Sequence, residues 1–218
     1  MFTFLKKEME DAGYTTRIPV EGLLVVESFL SKDELEAFLN IIDTTEEQEW
    51  HKMYIEGLKP FCMEKFGRDD VENLVAEGKY EITQGWEDKN LKIYDYPVTV
   101  KVCDRLNSLV KEADPTLELN GYSFQRMQSG VQLKSHVDQH TDPSIRYAAI
   151  IYLNNDYNGG EFIFPEKDFE LVPEPGSLLI FPGTKDFEHG VNPVKDGPIR
   201  YVMPGFIKVP NFYENNKY

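Results

Sequence analysis

The periodicity of this chain changes near residue 115, and that change limits its fold more than any other feature. Before it, apolar residues recur at helical spacing. After it, short apolar runs alternate with turns rich in Gly, Pro, Asn and Asp. In the first part, residues 2–12 read as a helix ended by Gly13. Leu23 to Val26 reads as a short strand. Ser31-Lys32-Asp33-Glu34 is a capping box that opens a helix with Leu35, Phe38, Leu39 and Ile42 on one face. Residues 45–66 read as a longer helix ending at Gly67. Residues 97–112 carry Val98, Val102, Leu106, Leu109 and Val110 at helical spacing, and Asp114-Pro115 stops the pattern.

In the second part the expected strands are 118–128, 131–137, 147–153, 160–164, 177–181, 187–192 and 199–208. Turn signals such as Asn158-Gly159-Gly160, Pro173-Glu174-Pro175-Gly176 and Asp196-Gly197-Pro198 separate them. Short strands at this spacing predict an all-β barrel or jelly roll. The expected class is therefore mainly β with flanking helices (α+β). A mostly helical part, 1–115, packs on a β core, 116–218, and together they form one domain. The helices cover one sheet face and blunt its edges. A chain of 218 residues suits one well-cored domain.

The net charge of −15 argues against nucleic acid and anionic membranes as partners, and mildly favours neutral or basic substrates. Cys62 and Cys103 lie far apart with no CxxC, so the expected compartment is the reducing cytoplasm. The first residues lack the apolar run of a secretory signal, and no stretch approaches the ~20 apolar residues of a membrane span.

Four histidines are present: His51, His136, His140 and His189. His51 lies among glutamates and reads as a surface residue. His136-Val137-Asp138 is different, because residues i and i+2 of a strand project from one face. His189 follows the first imidazole by 53 positions, at the start of another expected strand, and Arg200 lies 11 further on. Two nitrogens and one carboxylate oxygen on one face of an iron leave three positions open. A buried arginine can then hold a carboxylate by a two-pronged contact. The combination points to an oxygenase that uses Fe(II) and a dicarboxylic acid.

His140 is four residues from His136, as in zinc hydrolases, but no Glu adjoins His136, and Pro143 argues against a stable helix there. It reads as a polar loop residue near the site. Zinc on the same three ligands is chemically possible. Two features argue against a hydrolase: no separate general base is evident, and Arg200 sits in the apolar strand Ile199 to Met203, where an inward guanidinium needs an anion. A barrel that only binds is a third reading, opposed by the intact triad.

Several phrases resemble the catalytic core of the prolyl 4-hydroxylase branch of the Fe(II)/2-oxoglutarate-dependent oxygenases. They are His136-Val137-Asp138, Tyr152-Leu153-Asn154, Gly159-Gly160-Glu161-Phe162, Pro175-Gly176-Ser177-Leu178-Leu179-Ile180-Phe181, His189-Gly190-Val191 and Arg200-Tyr201. Residues 44–115 match nothing familiar. The resemblance implies a double-stranded β-helix with flanking helices. It implies His136, Asp138 and His189 as ligands of a catalytic iron. It also implies Arg200 and Tyr152 as partners of the distal carboxylate of 2-oxoglutarate. O2 is the other co-substrate, and ascorbate is a candidate accessory reductant. The implied reaction is hydroxylation of an unactivated C–H, most simply on a prolyl residue in a peptide or protein, with free proline or another small molecule as the alternative.

Two departures stand out. The family tyrosine nine residues before the first ligand is Met127 here, with Gln125 as a possible substitute. The family arginine on the strand leading to Tyr152 is one residue out of register, at Arg146. Phe124, Ile151, Phe162, Phe164, Leu179 and Phe181 are placed to line or underpin a pocket. The 80–96 segment, with Trp86, Tyr94 and Tyr96, reads as a lid over the site, with a surface loop packed by its own aromatics as the alternative.

Overall fold

A computed structural model of the chain describes residues 2–56, 59–62, 85–89 and 93–215. Its larger sheet explains why the strands after residue 145 are apolar at almost every position. Strand β9 (Ile145–Tyr152) lies at its centre, between β12 (Leu178–Pro182) and β14 (Arg200–Lys208), antiparallel to both. Ala149, Ile151, Leu178, Ile180, Met203 and Ile207 point to one face. Ala148, Ile150, Tyr152, Leu179, Phe181 and Val202 point to the other. A sheet covered on both faces has no solvent side to encode in its pattern.

The first face is covered by helices α1 (Phe2–Asp11), α2 (Lys32–Thr44) and α3 (Pro97–Ala113). Leu5, Met9, Phe38, Ile42, Val102 and Leu106 pack into that layer. Helix α2 begins as its sequence dictates. The Ser31 hydroxyl accepts from the Glu34 N–H at 3.2 Å, and the Ser31 N–H donates to Glu34 Oε2 at 3.0 Å. Arg105 on α3 then grips the same carboxylate with two nitrogens, at 2.8 and 3.0 Å, and ties the two helices together.

The second face meets a smaller sheet in the order β11 (Phe169–Leu171), β10 (Phe162–Phe164), β13 (His189–Val191) and β8 (Leu133–His136). Two facing antiparallel sheets with an aromatic-rich filling form the double-stranded β-helix, as expected. The large sheet runs β1 (Thr15–Arg17), β2 (Leu24–Glu27), β12, β9, β14, β7 (Phe124–Met127), β5 (Gly85–Lys89), β3 (His51–Glu56) and β4 (Lys59–Cys62), with β6 (Glu118–Tyr122) also paired to β14. No described helix is long and apolar enough to cross a membrane.

Three expectations are corrected. The helix expected over 45–66 is not formed: a 3-10 turn at Glu47–Glu49 leads into strands β3 and β4, which extend the large sheet through β5. Residues 57, 58 and 63–67 of that expectation lie outside the described residues. Of the supposed lid, residues 85–89 are a paired sheet strand, Ile93–Asp95 form a 3-10 turn, Tyr96 caps α3, and 80–84 and 90–92 lie outside the described residues. Finally, Asp138 is not in a strand but opens the one-turn helix α4 (Asp138–Thr141), despite Pro143.

Candidate active site

Strand pairing brings the two histidines together. His136, at the end of β8, lies directly across from His189, at the start of β13. Val137 between His136 and Asp138 is extended, with φ −120° and ψ 121°, so the one-face relation survives although α4 begins at once. Asp138 Oδ1 lies 3.6 Å from His136 Nε2 and 3.8 Å from His189 Nε2. One ligand atom from each of the three residues falls within 4.8 Å of the others.

The surroundings prepare these groups for a metal. His136 Nδ1 is 3.1 Å from the Lys134 carbonyl, and His189 Nδ1 is 2.9 Å from the Phe187 carbonyl. Each Nδ1–H donates to its carbonyl, which leaves each Nε2 lone pair toward Asp138. His189 is enclosed by Phe162, stacked at 5.3 Å, and Phe181, edge-on at 4.7 Å. That burial pushes the His189 imidazole down to about 4, against the opposing pull of Asp138. It therefore stands neutral, the form that binds a metal. Asp138 is buried, and its Oδ2 has no hydrogen-bond partner. Such an orphaned oxygen costs free energy unless something external satisfies it. Two imidazoles and a carboxylate with an idle oxygen fit a facial-triad iron.

Arg200 faces the same cavity from β14. It is 1% exposed, yet no carboxylate among the described residues pairs with it. Its Nη2 donates to the Tyr152 hydroxyl at 2.9 Å, its Nη1 approaches Met127 Sδ at 3.4 Å, and its Nε has no partner. A buried guanidinium without an anion is strongly unfavourable unless a ligand supplies one. Met127 thus occupies the family tyrosine's place and touches the guanidinium with sulfur.

Tyr157 is the residue that motif reading missed. Its ring lies 5.9 Å from the Arg200 guanidinium, and its hydroxyl is buried without a partner. Burial raises that hydroxyl well above the ordinary tyrosine value, so it stays a neutral donor. Gly160, at φ +66°, leaves the room for both: a Cβ there would sit 3.1 Å from Arg200 Cδ and 3.2 Å from the Tyr157 ring.

The cavity holds about 370 Å³ and is lined by His136, Asp138, His189 and Arg200 together. Of the aromatic and aliphatic residues expected around it, Phe162 lines the wall, and Phe164, Leu179 and Phe181 pack behind. Phe124 and Ile151 belong to the helix-side core instead. Gln125 lines the cavity, with Trp86 and Asp88 of β5 beside it. His140 is exposed and takes no part in the triad. Arg146 turns outward, donating to the Pro143 carbonyl at 2.8 Å and lying 5.7 Å over Phe212.

Residues 122–208 match the model of the 2OG-Fe(II) oxygenase superfamily. Prolyl 3-hydroxylase 2 of Mus musculus is 39% identical over 56 residues, 23% of this chain and 8% of the relative, and the Homo sapiens protein matches equally. The match therefore spans about a twelfth of those proteins' length. Among solved structures, a prolyl hydroxylase from Trichoplax adhaerens, in complex with a hypoxia inducible factor peptide fragment, shares the fold with TM-score 0.61. It is 13% identical, and the match covers 100% of this chain and 96% of that one. A Pseudomonas putida prolyl-4-hydroxylase gives TM-score 0.56 at 17% identity, over 94% and 98%. The collagen prolyl hydroxylase of Paramecium Bursaria Chlorella virus-1 gives 0.56 at 15%, over 87% and 96%. Residues 122–208 thus resemble the 2OG-Fe(II) oxygenase superfamily, and the chain shares the fold of solved prolyl hydroxylases.

Proposed function

We propose that this chain is a Fe(II)/2-oxoglutarate-dependent dioxygenase that hydroxylates a prolyl residue in a peptide or protein. The observation that carries the proposal is one cavity with two unmet demands among the described residues: a triad with an idle carboxylate oxygen, and a buried arginine with no anion. His136, Asp138 and His189 would hold the iron. Arg200 and Tyr152 would take the distal carboxylate of 2-oxoglutarate. When bound, the iron with 2-oxoglutarate and dioxygen supplies oxidation of an unactivated C–H bond, releasing succinate and carbon dioxide.

The chain's own residues do the rest. Tyr152 Oη accepts from Arg200 and keeps its own proton to donate to the carboxylate. Tyr157 offers a second neutral hydroxyl beside the guanidinium, in the role that Met127 leaves open. Phe162, Phe164 and Phe181 keep bulk water off His189 and strengthen the electrostatic contacts inside. The peptide substrate is supported by the fold shared with a prolyl hydroxylase that holds a peptide fragment. Free proline or another small molecule is the alternative. A cytoplasmic setting and ascorbate as accessory reductant complete the proposal; a reducing compartment keeps iron ferrous and agrees with the buried free thiol of Cys103.

The test is succinate release from 2-oxoglutarate, measured against proline-containing peptides and free amino acids. A peptide that stimulates release and gains one oxygen supports the proposal. Failure of every proline-containing candidate, with iron and 2-oxoglutarate bound, would refute the prolyl assignment.

A further inference from the structure

Strand β5 presents alternate faces to two environments. On the outer face, Glu87 accepts from Arg126 Nε and from Gln128 Nε2, and Lys89 pairs with Glu49. Arg126 also holds Glu47 and lies 4.6 Å over the Trp50 ring. The buried Glu87–Arg126 pair fixes the strand against β7, and the Lys89–Glu49 pair ties it to the turn before β3. On the inner face, Trp86 and Asp88 point into the active-site cavity, and Asp88 lies directly across from Gln125.

The inner face is incompletely satisfied: Trp86 and Gln125 turn donors toward Asp88 and favour its ionised form, but they do not complete its hydrogen bonding. Asp88 Oδ1 and Trp86 Nε1 are both buried without a close hydrogen-bond partner among the described residues. No ion pair among the described residues reaches Asp88: Lys208 at the cavity mouth is taken by Asp142 at 3.0 Å, and Arg126 and Lys89 serve the other face. A carboxyl in this position is complementary to a charged N–H donor, which would supply both the missing hydrogen bond and the missing counter-charge.

We infer that Asp88, flanked by Trp86 and Gln125, is the substrate-recognition anchor of this cavity and takes a cationic nitrogen of the substrate. The nitrogen is either the amine of a free amino acid or a basic side chain next to the target residue of a peptide. The inference rests on the cavity being the one that holds iron and 2-oxoglutarate. It places a negative anchor for the substrate opposite in sign to Arg200, so the two ligands cannot exchange places. The chain's net charge of −15 draws the same class of molecule toward the opening. Burial pushes the Asp88 carboxyl up to about 7, against the opposing pull of Trp86 and Gln125. An arriving cation favours its ionised form.

The test uses two matched pairs of probes on the full chain, loaded anaerobically with Fe(II) and 2-oxoglutarate. L-prolinamide is compared with N-acetyl-L-prolinamide, and acetyl-Pro-Lys-amide with acetyl-Pro-norleucine-amide. Binding is followed by calorimetry and by tryptophan fluorescence. The wild-type chain is expected to favour the cationic member of one pair at least about tenfold, the worth of one charged hydrogen bond. Discrimination in the first pair identifies a free amine, and in the second a basic side chain. Asp88→Asn should bring that ratio close to one, and Asp88→Glu should retain part of it. Equal binding within both pairs of the wild type overturns the inference, even if Asp88→Asn does not fold. So does a ratio that survives in Asp88→Asn. Failure of the underlying reading is seen separately, as no visible absorption on adding 2-oxoglutarate to the ferrous wild-type protein.

Discussion

His136 and His189 face each other across the β8–β13 pair, with ring centroids 4.4 Å apart, although 53 residues separate them in the chain. That register is what converts a local His-x-Asp phrase into a three-point site. The register shifts between His189 and Val191, which pairs with Leu133, so an irregularity in the ladder directly follows the paired histidines.

Replacing any ligand of the triad should abolish iron binding while the β core persists. Asp138→Ala removes the only acid of the three and relieves an orphaned buried oxygen. We expect Fe(II) affinity to fall more than about 100-fold, with thermal stability unchanged or raised, measured by calorimetric titration and thermal melting.

Arg200→Ala should separate the two ligands. Loss of one partner of a buried charge pair costs about 2–5 kcal/mol, so 2-oxoglutarate binding should weaken by at least about 30-fold. Fe(II) binding should change little. Equal loss of both would make Arg200 a structural residue.

Tyr152→Phe and Tyr157→Phe each remove one hydroxyl near the guanidinium. Each should weaken 2-oxoglutarate by roughly fivefold, about 1 kcal/mol for a single hydrogen bond. An effect of Tyr152→Phe alone would remove Tyr157 from the carboxylate subsite.

What the sequence showed was what local rules encode. The Ser31–Glu34 capping box depends on four adjacent residues, and it forms as read. The His136-x-Asp138 phrase depends only on an extended Val137, and it brings the two side chains together although Asp138 opens a helix. The failures depend on partners far along the chain. The segment expected as a helix over 45–66 has helix-compatible residues, but His51–Tyr54 pair with β5 and Met53–Glu56 with β4, and tertiary pairing overrides propensity. Trp86 and Asp88 read as loop residues because only pairing with β7 aims them inward. Tyr157 lies in the loop before Gly159-Gly160, where no periodicity marks it; its idle hydroxyl next to Arg200 is visible only in three dimensions.

Glu34 makes folding stability depend on acidity. Burial opposes its charge, but Arg105, the Ser31 N–H and Lys101 outweigh that and hold the carboxyl at about 2, below its usual 4.5. A depressed pKa stabilises the fold fully above the unfolded value, and the contribution is lost as pH falls from about 4.5 toward 2. Glu34→Gln should cost about 2 kcal/mol at neutral pH and flatten the acid limb of a denaturation series. An unchanged acid limb would exclude Glu34 as its source.

Gly160→Ala should be costly, since it places a side chain at φ +66° against Arg200 and Tyr157. We expect a loss of about 1–3 kcal/mol in stability and weaker 2-oxoglutarate binding. Gly13→Ala, at φ +90° with open space around it, serves as the control for backbone strain alone and should leave 2-oxoglutarate binding intact.

The most direct measurement of the central claim is the visible absorption of the ferrous protein under anaerobic conditions as 2-oxoglutarate is added. If His136, Asp138 and His189 hold iron in the cavity that Arg200 shares, a weak charge-transfer band should appear and saturate. The band should be missing in Asp138→Ala and require far more 2-oxoglutarate in Arg200→Ala. A wild-type protein that shows no band and instead binds zinc tightly would contradict the account.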